Sequence, residues 1–511
     1  MPPKLKFHQP ALQSLSEQDR QLFEQYGSGV VAEIPYQNVH HGFADMARSQ
    51  PHICAARHGG QMITYGELDA KANALASHLI GLGVQQGDAV GLFLRRSIDM
   101  LVGLLGILKC GAAYVPVDIG TTPPRLVEQV IEAAQVRLVL TQACPLALIP
   151  EGVECQVIET ACQTSAPAIR APMVSGQATC FILFTSGTTG IPNGVKVSHA
   201  NVCNLLFSAP GNLGIAPGDR VGQILHIGFD MAAWEILGCL CHGGTLLIRE
   251  ADIAATAQHC SILIATPSIL ARLDPARCPH IKTVAVAGEP CPPSLAERWA
   301  AYCSFHNSCG PTETTIVNTM VRYRAASMLT IGKPTPNNSV YILDEHGVPC
   351  AIGDVGEMWA GGAGVSQGYV NNALLTEQRY RPDPFLGGTM FRTRDLGRWT
   401  ATGELEHLGR CDDQVKVRGF RVELDAVAAA LESLPGCNRA AALKLDDRQL
   451  VAFASPMCLD IEQALLRCRE RLPYYAVPTR LTLLEELPLT GRGKIDRAVL
   501  RELLAAAQVA P

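Results

Sequence analysis

The chain has few aromatic residues and no long apolar run. Of its 511 residues, 48% are hydrophobic but only 5% are aromatic, so aliphatic side chains dominate, as in α/β proteins. No apolar run approaches about 18 residues, the length at which a membrane span is expected, so we predict no membrane association. Residues 1–7 carry lysines without an apolar stretch behind them, which favours a cytoplasmic protein over a secreted one.

The net charge argues against a nucleic-acid-binding protein, and the cysteine spacing argues against a metal site or a disulfide framework. The net charge of −5 gives no sign of nucleic-acid binding. The 19 cysteines are scattered without a Cys-x-x-Cys pair, and Cys239 and Cys241 are the closest two. We interpret them as reduced thiols that fill the core, rather than as metal ligands or disulfides.

The organisation of the chain changes twice along its length. Short apolar runs alternate with amphipathic stretches over residues 63–301, which predicts parallel sheets covered by helices. From about residue 340, turn residues are dense and the predicted strands are short, which indicates an antiparallel, barrel-like subdomain. We therefore predict an α/β fold with a large N-terminal domain (1–410, with the subdomain at about 340–410) and a small, mobile α+β C-terminal domain (411–511).

Residues 184–195 combine hydroxyl side chains with glycines directly after a predicted strand. Glycine allows backbone N–H groups to approach a ligand closely, and ligands of parallel sheets bind at the carboxyl ends of strands. We therefore predict a loop that holds phosphate oxygens, with a helix beginning near His199. The predicted contact residues are Thr185, Ser186, Gly187, Thr188, Thr189 and Gly190.

This loop is not a Walker A motif. The pattern G-x-x-x-x-G-K requires a longer spacing than that between Gly190 and Gly194, and Val195 stands where the lysine belongs. From this stretch alone, an ordinary surface loop rich in glycine and threonine is the alternative.

Motifs along residues 40–500 resemble, in order, those of the amino-acid adenylation domains of nonribosomal peptide synthetases. Those domains belong to the adenylate-forming superfamily, with the acyl-CoA synthetases and luciferases. The matching stretches are TYGEL (64–68), LKCGAAYVPVD (108–118), residues 184–195, FD (229–230) with WE (234–235), NSCGPTET (307–314), residues 356–369, RTRDL (392–396), GRCDDQVKVRG (409–419), LPYY (472–475) and LPLTGRGKIDR (487–497).

The resemblance implies that a carboxylate attacks the α-phosphate of ATP, which yields an acyl-adenylate and pyrophosphate. Such a reaction depends mainly on positioning and on charge neutralisation. Lys494 is then expected to contact both the substrate carboxylate and the α-phosphate. Glu313 is expected to help hold Mg²⁺, with Thr312 beside it as a phosphate donor.

The remaining nucleotide contacts also follow from the resemblance. Asp395 is expected to accept hydrogen bonds from both ribose hydroxyls, a role that suits a bidentate carboxylate. Arg410 is expected to reach the ribose or the phosphates. Ser308, Cys309 and Gly310 are expected to complete the nucleotide site.

Asp230 indicates the class of substrate. In relatives that activate amino acids, this position holds the α-amino group, whose charge would compensate a buried carboxylate. The alternative from the residue itself is an aspartate that caps a helix beginning near Met231.

The substrate pocket can be assigned by register with the family. Its walls carry no charge, and their alanines leave room for a large side chain, so we predict a large apolar or aromatic amino acid. The predicted substrate contacts are Asp230, Met231, Trp234, Ala265, Ala285, Ala287, Ser308, Ile316, Val317 and Lys494.

The resemblance also implies a second step, transfer of the aminoacyl group to a pantetheine thiol. Asp412 would be the pivot about which the C-terminal domain rotates, which withdraws Lys494 and brings Lys416 and Gly419 to the site. Gly419 would leave room for the thiol-bearing arm. Because no carrier domain follows residue 497, we expect a separate phosphopantetheinyl carrier protein as partner.

Three residues depart from the family pattern. Asn193 replaces a lysine of the phosphate loop, Cys309 replaces an aromatic residue and Arg394 replaces a glycine. These departures keep open a catalytically degenerate relative that acts as a binding partner. A coenzyme A ligase for an aryl or other organic acid is a further alternative, which Asp230 opposes.

Overall fold

The structure is a computed structural model that describes residues 6–142, 149–161, 174–187, 192–489 and 495–509, with side chains as far as residue 505. Within these ranges no helix is both long and apolar enough to cross a membrane. The cysteines in them are all free thiols.

The strands are numbered in chain order. They are β1 (Cys54–His58), β2 (Gln61–Thr64), β3 (Ala89–Phe93), β4 (Ala113–Pro116), β5 (Leu138–Thr141), β6 (Glu154–Val157), β7 (Thr179–Thr185), β8 (Asn193–Ser198), β9 (Arg220–Gln223), β10 (Thr245–Ile248), β11 (Ile262–Ala265), β12 (Thr283–Val286), β13 (Ser304–Cys309), β14 (Thr319–Arg322), β15 (Lys333–Pro334), β16 (Asn338–Leu343), β17 (Gly356–Gly362), β18 (Tyr380–Pro382), β19 (Thr389–Trp399), β20 (Leu405–Arg410), β21 (Gln414–Val417), β22 (Phe420–Glu423), β23 (Arg439–Lys444), β24 (Leu450–Ser455) and β25 (Arg480–Leu483).

The α-helices are numbered in the same way. They are α1 (Glu17–Tyr26), α2 (Val39–Ser49), α3 (Tyr65–Gly81), α4 (Ile98–Lys109), α5 (Pro124–Ala134), α6 (Ile158–Ala161), α7 (His199–Leu206), α8 (Asp230–Cys241), α9 (Ile253–Ala257), α10 (Pro267–Leu270), α11 (Pro293–Ala300), α12 (Ala373–Arg379), α13 (Leu424–Glu432), α14 (Ile461–Arg471) and α15 (Arg497–Val509).

Two large, mostly parallel sheets form the N-terminal part, which confirms the predicted α/β fold. One has the order β6-β5-β3-β4-β7-β8, and only its β7–β8 pair is antiparallel. The other has the order β15-β14-β13-β12-β11-β9-β10-β1-β2, parallel from β13 through β1 and antiparallel at both edges. Strands such as β4, β11 and β12 are buried along their whole length, as expected when helices cover both faces.

The predicted antiparallel subdomain is a sheet of five strands. Its order is β16-β17-β19-β18, and β20 pairs with β19. The sequence predicts only short strands here, whereas β19 has 11 residues. Beyond it, the β21–β22 hairpin and the three-stranded sheet β23-β24-β25 pack with α13 and α14 around a hydrophobic cluster drawn from residues 415–483.

Helix α8 passes through the centre of the N-terminal part. All 12 of its residues are buried, so the helix has no solvent-facing side. Its Glu235 accepts hydrogen bonds from the backbone N–H groups of Ile224 and Leu225, at 2.9 Å and 3.3 Å. Burial raises the pKa of Glu235 to about 8 despite these bonds. Glu235 therefore holds in place, by hydrogen bonds, the segment that connects β9 with α8.

The predicted phosphate loop joins two strands rather than a strand and a helix. β7 and β8 pair as a hairpin, and α7 begins only after β8, with Ser198 as its N-cap. The predicted start of the helix near His199 is correct. Strand β8 was not predicted, because a short alternating run is hard to distinguish from a loop.

Candidate active site

A cavity of about 1,980 Å³, including its open mouth, lies at the carboxyl ends of β7, β12 and β13. The start of α8 forms another wall, and the β21–β22 hairpin covers one side. Its lining includes the polar residues Thr185, Ser186, Asp230, Glu289, Ser308, Thr312, Asp395, His407, Arg410, Asp412, Lys416 and Arg421. Residues from distant motifs thus meet in one cavity.

The phosphate loop begins at this cavity. Thr185 ends β7, and its hydroxyl lies 3.4 Å from the carbonyl oxygen of Asn193. Ser186 donates its hydroxyl hydrogen to the carbonyl oxygen of Arg421 at 2.9 Å. Gly187 lines a second, adjoining cavity. The other predicted loop contacts, Thr188, Thr189 and Gly190, lie outside the described residues.

Asp230 is the first residue of α8 and points into the cavity. Its carboxylate accepts a hydrogen bond from the Thr312 hydroxyl at 2.9 Å and one from the backbone N–H of Met231 in the first turn of the helix, whose N-cap is Phe229. Burial raises the pKa of Asp230, while the Thr312 hydrogen bond and the charge of Lys416 oppose the shift. Among the described residues, no cationic side chain donates a hydrogen bond to Asp230, so its buried negative charge still needs a charged partner.

Glu313 lies behind Thr312 in a short turn after β13 and is fully buried. Its Oε1 accepts hydrogen bonds from Arg421 Nη1 at 2.9 Å and from the Tyr369 hydroxyl at 2.7 Å. Burial alone would raise the pKa of Glu313, but Arg421 and then Tyr369 lower it below its ordinary value. Its Oε2 is buried and has no hydrogen-bond partner among the described residues, so Glu313 keeps one carboxylate oxygen of the kind that Mg²⁺ binds.

Asp395 lies on β19, opposite Arg410 of β20. Its Oδ1 accepts a hydrogen bond from Arg410 Nη1 at 2.6 Å and lies 3.3 Å from His407 Nε2. Burial would raise the pKa of Asp395, but His407 and Arg410 lower it, so the carboxylate stays ionised. Arg410 also donates two hydrogen bonds to Asp412, at 2.7 Å and 2.9 Å. The predicted ribose acceptor and the predicted pivot therefore share one arginine.

The hairpin places both predicted thiol-transfer residues at the site. Lys416 lines the cavity; burial and Arg421 lower its pKa, while Asp230 and Asp395 oppose the shift. Gly419 has a φ of +84°, and a Cβ there would lie 2.6 Å from Cγ2 of Thr266. Only glycine allows this close approach of the hairpin to the N-terminal part.

The end of β13 supplies the other predicted nucleotide contacts. Ser308, Cys309 and Gly310 all line the cavity. Burial raises the pKa of the Cys309 thiol to about 12, so it is a neutral, weakly polar group. Lys494, the predicted catalytic cation, lies outside the described residues. Arg394 has a φ of +64°, a conformation that favours glycine, which is the residue expected there from the resemblance.

Most of the predicted pocket walls belong to the core. Asp230 and Ser308 line the cavity, but the others do not and are at most 1% exposed. Those residues are Met231, Trp234, Ala265, Ala285, Ala287, Ile316 and Val317. Trp234 donates its indole N–H to the Gly211 carbonyl oxygen at 2.7 Å, so its ring is fixed within the core.

The second cavity, of about 940 Å³ including its mouth, lies between the N-terminal part and the segment after residue 411. It shares Phe184, Thr185, Ser186, Gly228, Phe420 and Tyr475 with the first. Phe420 and Tyr475 stack with their ring centroids 3.9 Å apart. His226, whose Nε2 lies 3.4 Å from Asp118 Oδ2, is also in its wall. The two cavities therefore adjoin at these shared residues.

Several of these residues were not predicted as functional. Arg421 is the clearest, since it follows the GRCDDQVKVRG motif directly but its partner Glu313 is 108 residues away in sequence. Tyr369 and Tyr475 lie in the quoted motifs but have no predicted role, and Phe420 lies directly after one. An arginine between two apolar residues of a hairpin strand is the signal that could have identified Arg421.

The chain is similar in sequence to known adenylate-forming proteins. The profile of the AMP-binding enzyme family matches residues 43–370. An adenylate-forming reductase of Coprinopsis cinerea is 45% identical over 506 residues, which cover 96% of this chain and 49% of the relative. Isonitrile lipopeptide synthase of Mycobacterium tuberculosis is 36% identical over 516 residues, which cover 96% of this chain and 20% of the relative.

A solved structure has the same fold. It is the holo form of an NRPS protein containing adenylation and PCP domains, bound to a vinylsulfonamide inhibitor. The TM-score is 0.82 at 27% identity, with 91% of this chain and 84% of the other covered. The chain spans about half the length, 49%, of the curated reductase that it matches and a smaller share of the synthase.

Together, the two parallel sheets, the carboxylates and hydroxyls at their strand ends and these likenesses define an adenylate-forming enzyme of the nonribosomal peptide synthetase type. The chain belongs to the AMP-binding enzyme family, which implies the use of ATP.

Proposed function

We propose that this enzyme activates an amino acid as its aminoacyl-adenylate, with release of pyrophosphate, and then transfers it to the pantetheine thiol of a separate carrier protein. Such a reaction would serve nonribosomal peptide or related natural-product biosynthesis. The observation that carries the proposal is Asp230, a buried carboxylate that faces the cavity and accepts hydrogen bonds from two uncharged donors, the Thr312 hydroxyl and the Met231 backbone N–H. The ammonium group of an amino acid would complete that site.

The other residues take roles that suit this chemistry. Thr185 and Ser186 provide hydroxyl donors for phosphate oxygens at the end of β7. Asp395, kept ionised by His407 and Arg410, would accept the ribose hydroxyls. Lys494 would bring the positive charge that allows the carboxylate to approach the α-phosphate.

The size of the substrate follows from the register of the family. The predicted walls are uncharged, so a charged side chain would have no partner among them. A large apolar or aromatic amino acid remains the best substrate. One methylene changes discrimination by only about 1–3 kcal/mol, so a group of similar amino acids is expected to compete.

The second cavity would carry the pantetheine arm. It leads to Ser186 and Gly228, which also line the first cavity, so a thiol entering it would arrive beside the adenylate. The C-terminal domain (411–511) would turn about Asp412 between the two steps. The present arrangement, with Lys416 and Gly419 at the site, corresponds to the thiol-transfer step.

A second candidate is favoured by the 45% identity to an adenylate-forming reductase. In that case the same adenylate is formed, but the activated acyl group is finally reduced. The two candidates share the first step and differ in the fate of the acyl group.

The test is substrate-dependent exchange of labelled pyrophosphate into ATP, across the proteinogenic amino acids and a set of aryl acids. We expect exchange with large apolar or aromatic amino acids. Asp230→Asn should lower kcat/KM for the preferred amino acid by about 30- to 1,000-fold, because the ammonium loses its charged partner. Glu289→Gln is the matched control, since Glu289 lines the same cavity but accepts from the backbone N–H of Ser268.

Each alternative gives a different result. Exchange with aryl acids alone, followed by formation of a coenzyme A ester, would indicate an acid–CoA ligase. An absence of exchange with every acid would indicate a non-catalytic binding partner. Release of an aldehyde or alcohol from the loaded carrier in the presence of a hydride donor would favour the reductase candidate.

A further inference from the structure

Glu423 is a buried carboxylate in the wall of the second cavity. It is the last residue of β22, and only 7% of its surface is exposed. Its Oε1 accepts a hydrogen bond from Arg421 Nε at 3.3 Å, and among the described residues its Oε2 has no hydrogen-bond donor. This carboxylate therefore has one oxygen left for a ligand that enters the cavity.

Glu423 lies close to the place where the two cavities adjoin. Ser186 lines both cavities and donates its hydroxyl hydrogen to the carbonyl oxygen of Arg421 at 2.9 Å. Glu423 follows two residues later in the same strand, which is a distance of about 7 Å. A thiol that passes through the second cavity toward Ser186 therefore comes close to this carboxylate.

A thiol that attacks an acyl-adenylate must lose its proton. The thiolate is the nucleophile, and an ordinary thiol, with a pKa of about 8.5, is only a few per cent ionised at neutral pH. A group that accepts the proton during the attack would therefore speed this step. The side chains of the described wall that are considered for this role are Asp118, His226, Glu423, Tyr474 and Tyr475.

His226 and Asp118 are occupied with each other and with the backbone. The N–H of Gly228 donates to His226 Nδ1 at 3.1 Å, so the proton of the neutral ring lies on Nε2, which is 3.4 Å from Asp118 Oδ2. Burial lowers the pKa of His226 to about 4, so the ring is neutral at pH 7. Asp118 Oδ1 accepts a hydrogen bond from the N–H of Gly120 at 2.9 Å. Each acceptor atom of this pair therefore already has a partner.

The two tyrosines are donors rather than bases. Burial raises the pKa of Tyr474 and the pKa of Tyr475 above the ordinary value, so both hydroxyls stay protonated at neutral pH. A protonated phenol cannot take the proton of a thiol. Glu423 is then the remaining acceptor in the described wall.

The charges around Glu423 suit this role. Burial raises the pKa of Glu423 above its ordinary value of 4.5, and the charge of Asp412 adds to the shift. Arg421 opposes it, and Arg410 opposes it more weakly. A carboxylate whose pKa lies closer to neutrality takes up a proton more readily than an exposed glutamate does.

We infer that Glu423 is the general base of the transfer step and takes the proton of the incoming thiol on its Oε2. The sulphur forms a bond with the acyl carbon, the bond from that carbon to the phosphate oxygen breaks, and AMP leaves with the electron pair. The proton on Glu423 passes to solvent after the thioester has left. The inference rests on the proposed transfer to a thiol, but it holds for any acid that the enzyme activates.

The experiment follows a single turnover from preformed adenylate. The whole protein is incubated with ATP, pyrophosphatase and the acid that supports pyrophosphate exchange, and is then mixed with pantetheine at several pH values. Glu423→Gln keeps an oxygen that accepts the hydrogen bond from Arg421, but its amide cannot take a proton. At pH 7 it should transfer the acyl group about 10- to 100-fold more slowly than the unaltered protein, while adenylate formation is retained.

The pH profile separates a base from a structural residue. In Glu423→Gln the transfer rate should rise about 10-fold per pH unit up to the pKa of the thiol, about 8.5, because only thiolate that is already present reacts. In the unaltered protein the rate should change little near neutrality and should fall when Glu423 becomes protonated. The deficit of the variant should therefore shrink about 10-fold or more between about pH 7 and about pH 9. A deficit of equal size at every pH would overturn the inference.

Two further variants complete the series. Glu423→Asp keeps a carboxylate and should recover part of the rate that is lost at pH 7. Glu432→Gln is the matched control, since Glu432 is exposed and accepts a hydrogen bond from the backbone N–H of Ala440. Equal transfer rates in Glu423→Gln and Glu432→Gln would contradict the role of Glu423. If the unaltered protein forms the adenylate but transfers nothing to pantetheine, the proposed second step itself is wrong.

Discussion

Three buried carboxylates of the site differ in the groups that compensate their charge. Arg421 and Tyr369 lower the pKa of Glu313, and His407 and Arg410 lower the pKa of Asp395. Asp230 has a raised pKa, because the Thr312 hydroxyl and the charge of Lys416 compensate its burial only in part. The acid whose charge is least compensated is the one assigned to the substrate.

This difference predicts a pH dependence. Because the pKa of Asp230 is raised, the carboxyl group becomes neutral at a higher pH than an exposed aspartate and then loses its attraction for an ammonium group. The KM for the amino acid should therefore begin to rise, as the pH falls, before the pH reaches the ordinary pKa of an aspartate, about 3.9. Measured by pyrophosphate exchange, this rise should be absent in Asp230→Asn. A rise of equal size in the variant would contradict the assignment.

Asn193 stands where the family pattern has a lysine, and restoring that lysine tests its role. It stands at the start of β8, where its backbone pairs with Thr185, so a longer side chain does not disturb the strand. Asn193→Lys should lower the KM for ATP about 3- to 10-fold, by adding a charge near the phosphates. Steady-state exchange kinetics at varied ATP measure this, with Lys196→Met as the control. An unchanged KM would show that the loop already neutralises the phosphates.

At the scale of elements, the sequence predicts what depends on local periodicity. The alternation over residues 63–301 predicts parallel sheets covered by helices, which the structure confirms, since each element is set by its own burial pattern. The Glu313–Arg421 pair and the bond between Ser186 and the hairpin are not predictable in this way. They depend on how two distant elements meet, which no local pattern specifies.

The segment between β20 and β21 holds the proposed pivot between the two proposed steps. Asp412 lies in it and accepts two hydrogen bonds from Arg410. Asp412→Pro should slow thiol transfer at least about 10-fold more than adenylation, because proline fixes φ at the proposed pivot. Rapid-quench assays of each half-reaction measure this. Asp412→Ala removes the ion pair without restricting the backbone, and it should affect the two steps more equally.

At the scale of the whole molecule, buried neutral histidines link stability to pH. His40, His199, His226 and His306 all have lowered pKa values, mainly because of burial. The unfolded chain binds protons on these side chains below about pH 6.5, whereas the folded chain does not. Stability should therefore fall as the pH decreases from about 6.5 to about 4.

His199 allows this prediction to be tested. Its ring is buried, and neither ring nitrogen has a hydrogen-bond partner among the described residues. Burial lowers the pKa of His199 to about 4. Between about pH 6.5 and about pH 4, the free energy of unfolding should fall less in His199→Phe than in the unaltered protein, by on the order of 3 kcal/mol. Urea unfolding at several pH values measures it, with exposed His52→Phe as the control. Parallel pH curves for the variant and the unaltered protein would contradict the prediction.

The sequence predicts the α/β architecture, which the structure confirms, whereas the walls of the substrate pocket stay a prediction. Asp230 and Ser308 reach the cavity, whereas Met231, Trp234 and the alanines are in the core. Register with a family predicts which strand a residue occupies. It does not predict how close packing divides core from cavity over one or two residues.

The complete burial of α8 restricts how substrate choice can change. Asp230 faces the cavity from one end of this helix, and Glu235 braces the preceding segment from its middle. A substitution that reshapes the pocket from α8 also changes the core, so its effects on specificity and on folding are coupled. Single changes on this helix would thus be selected against before a new substrate is accepted. Exchange of β9 and α8 as one block, with the surfaces that they pack against, is the more accessible route to a new specificity.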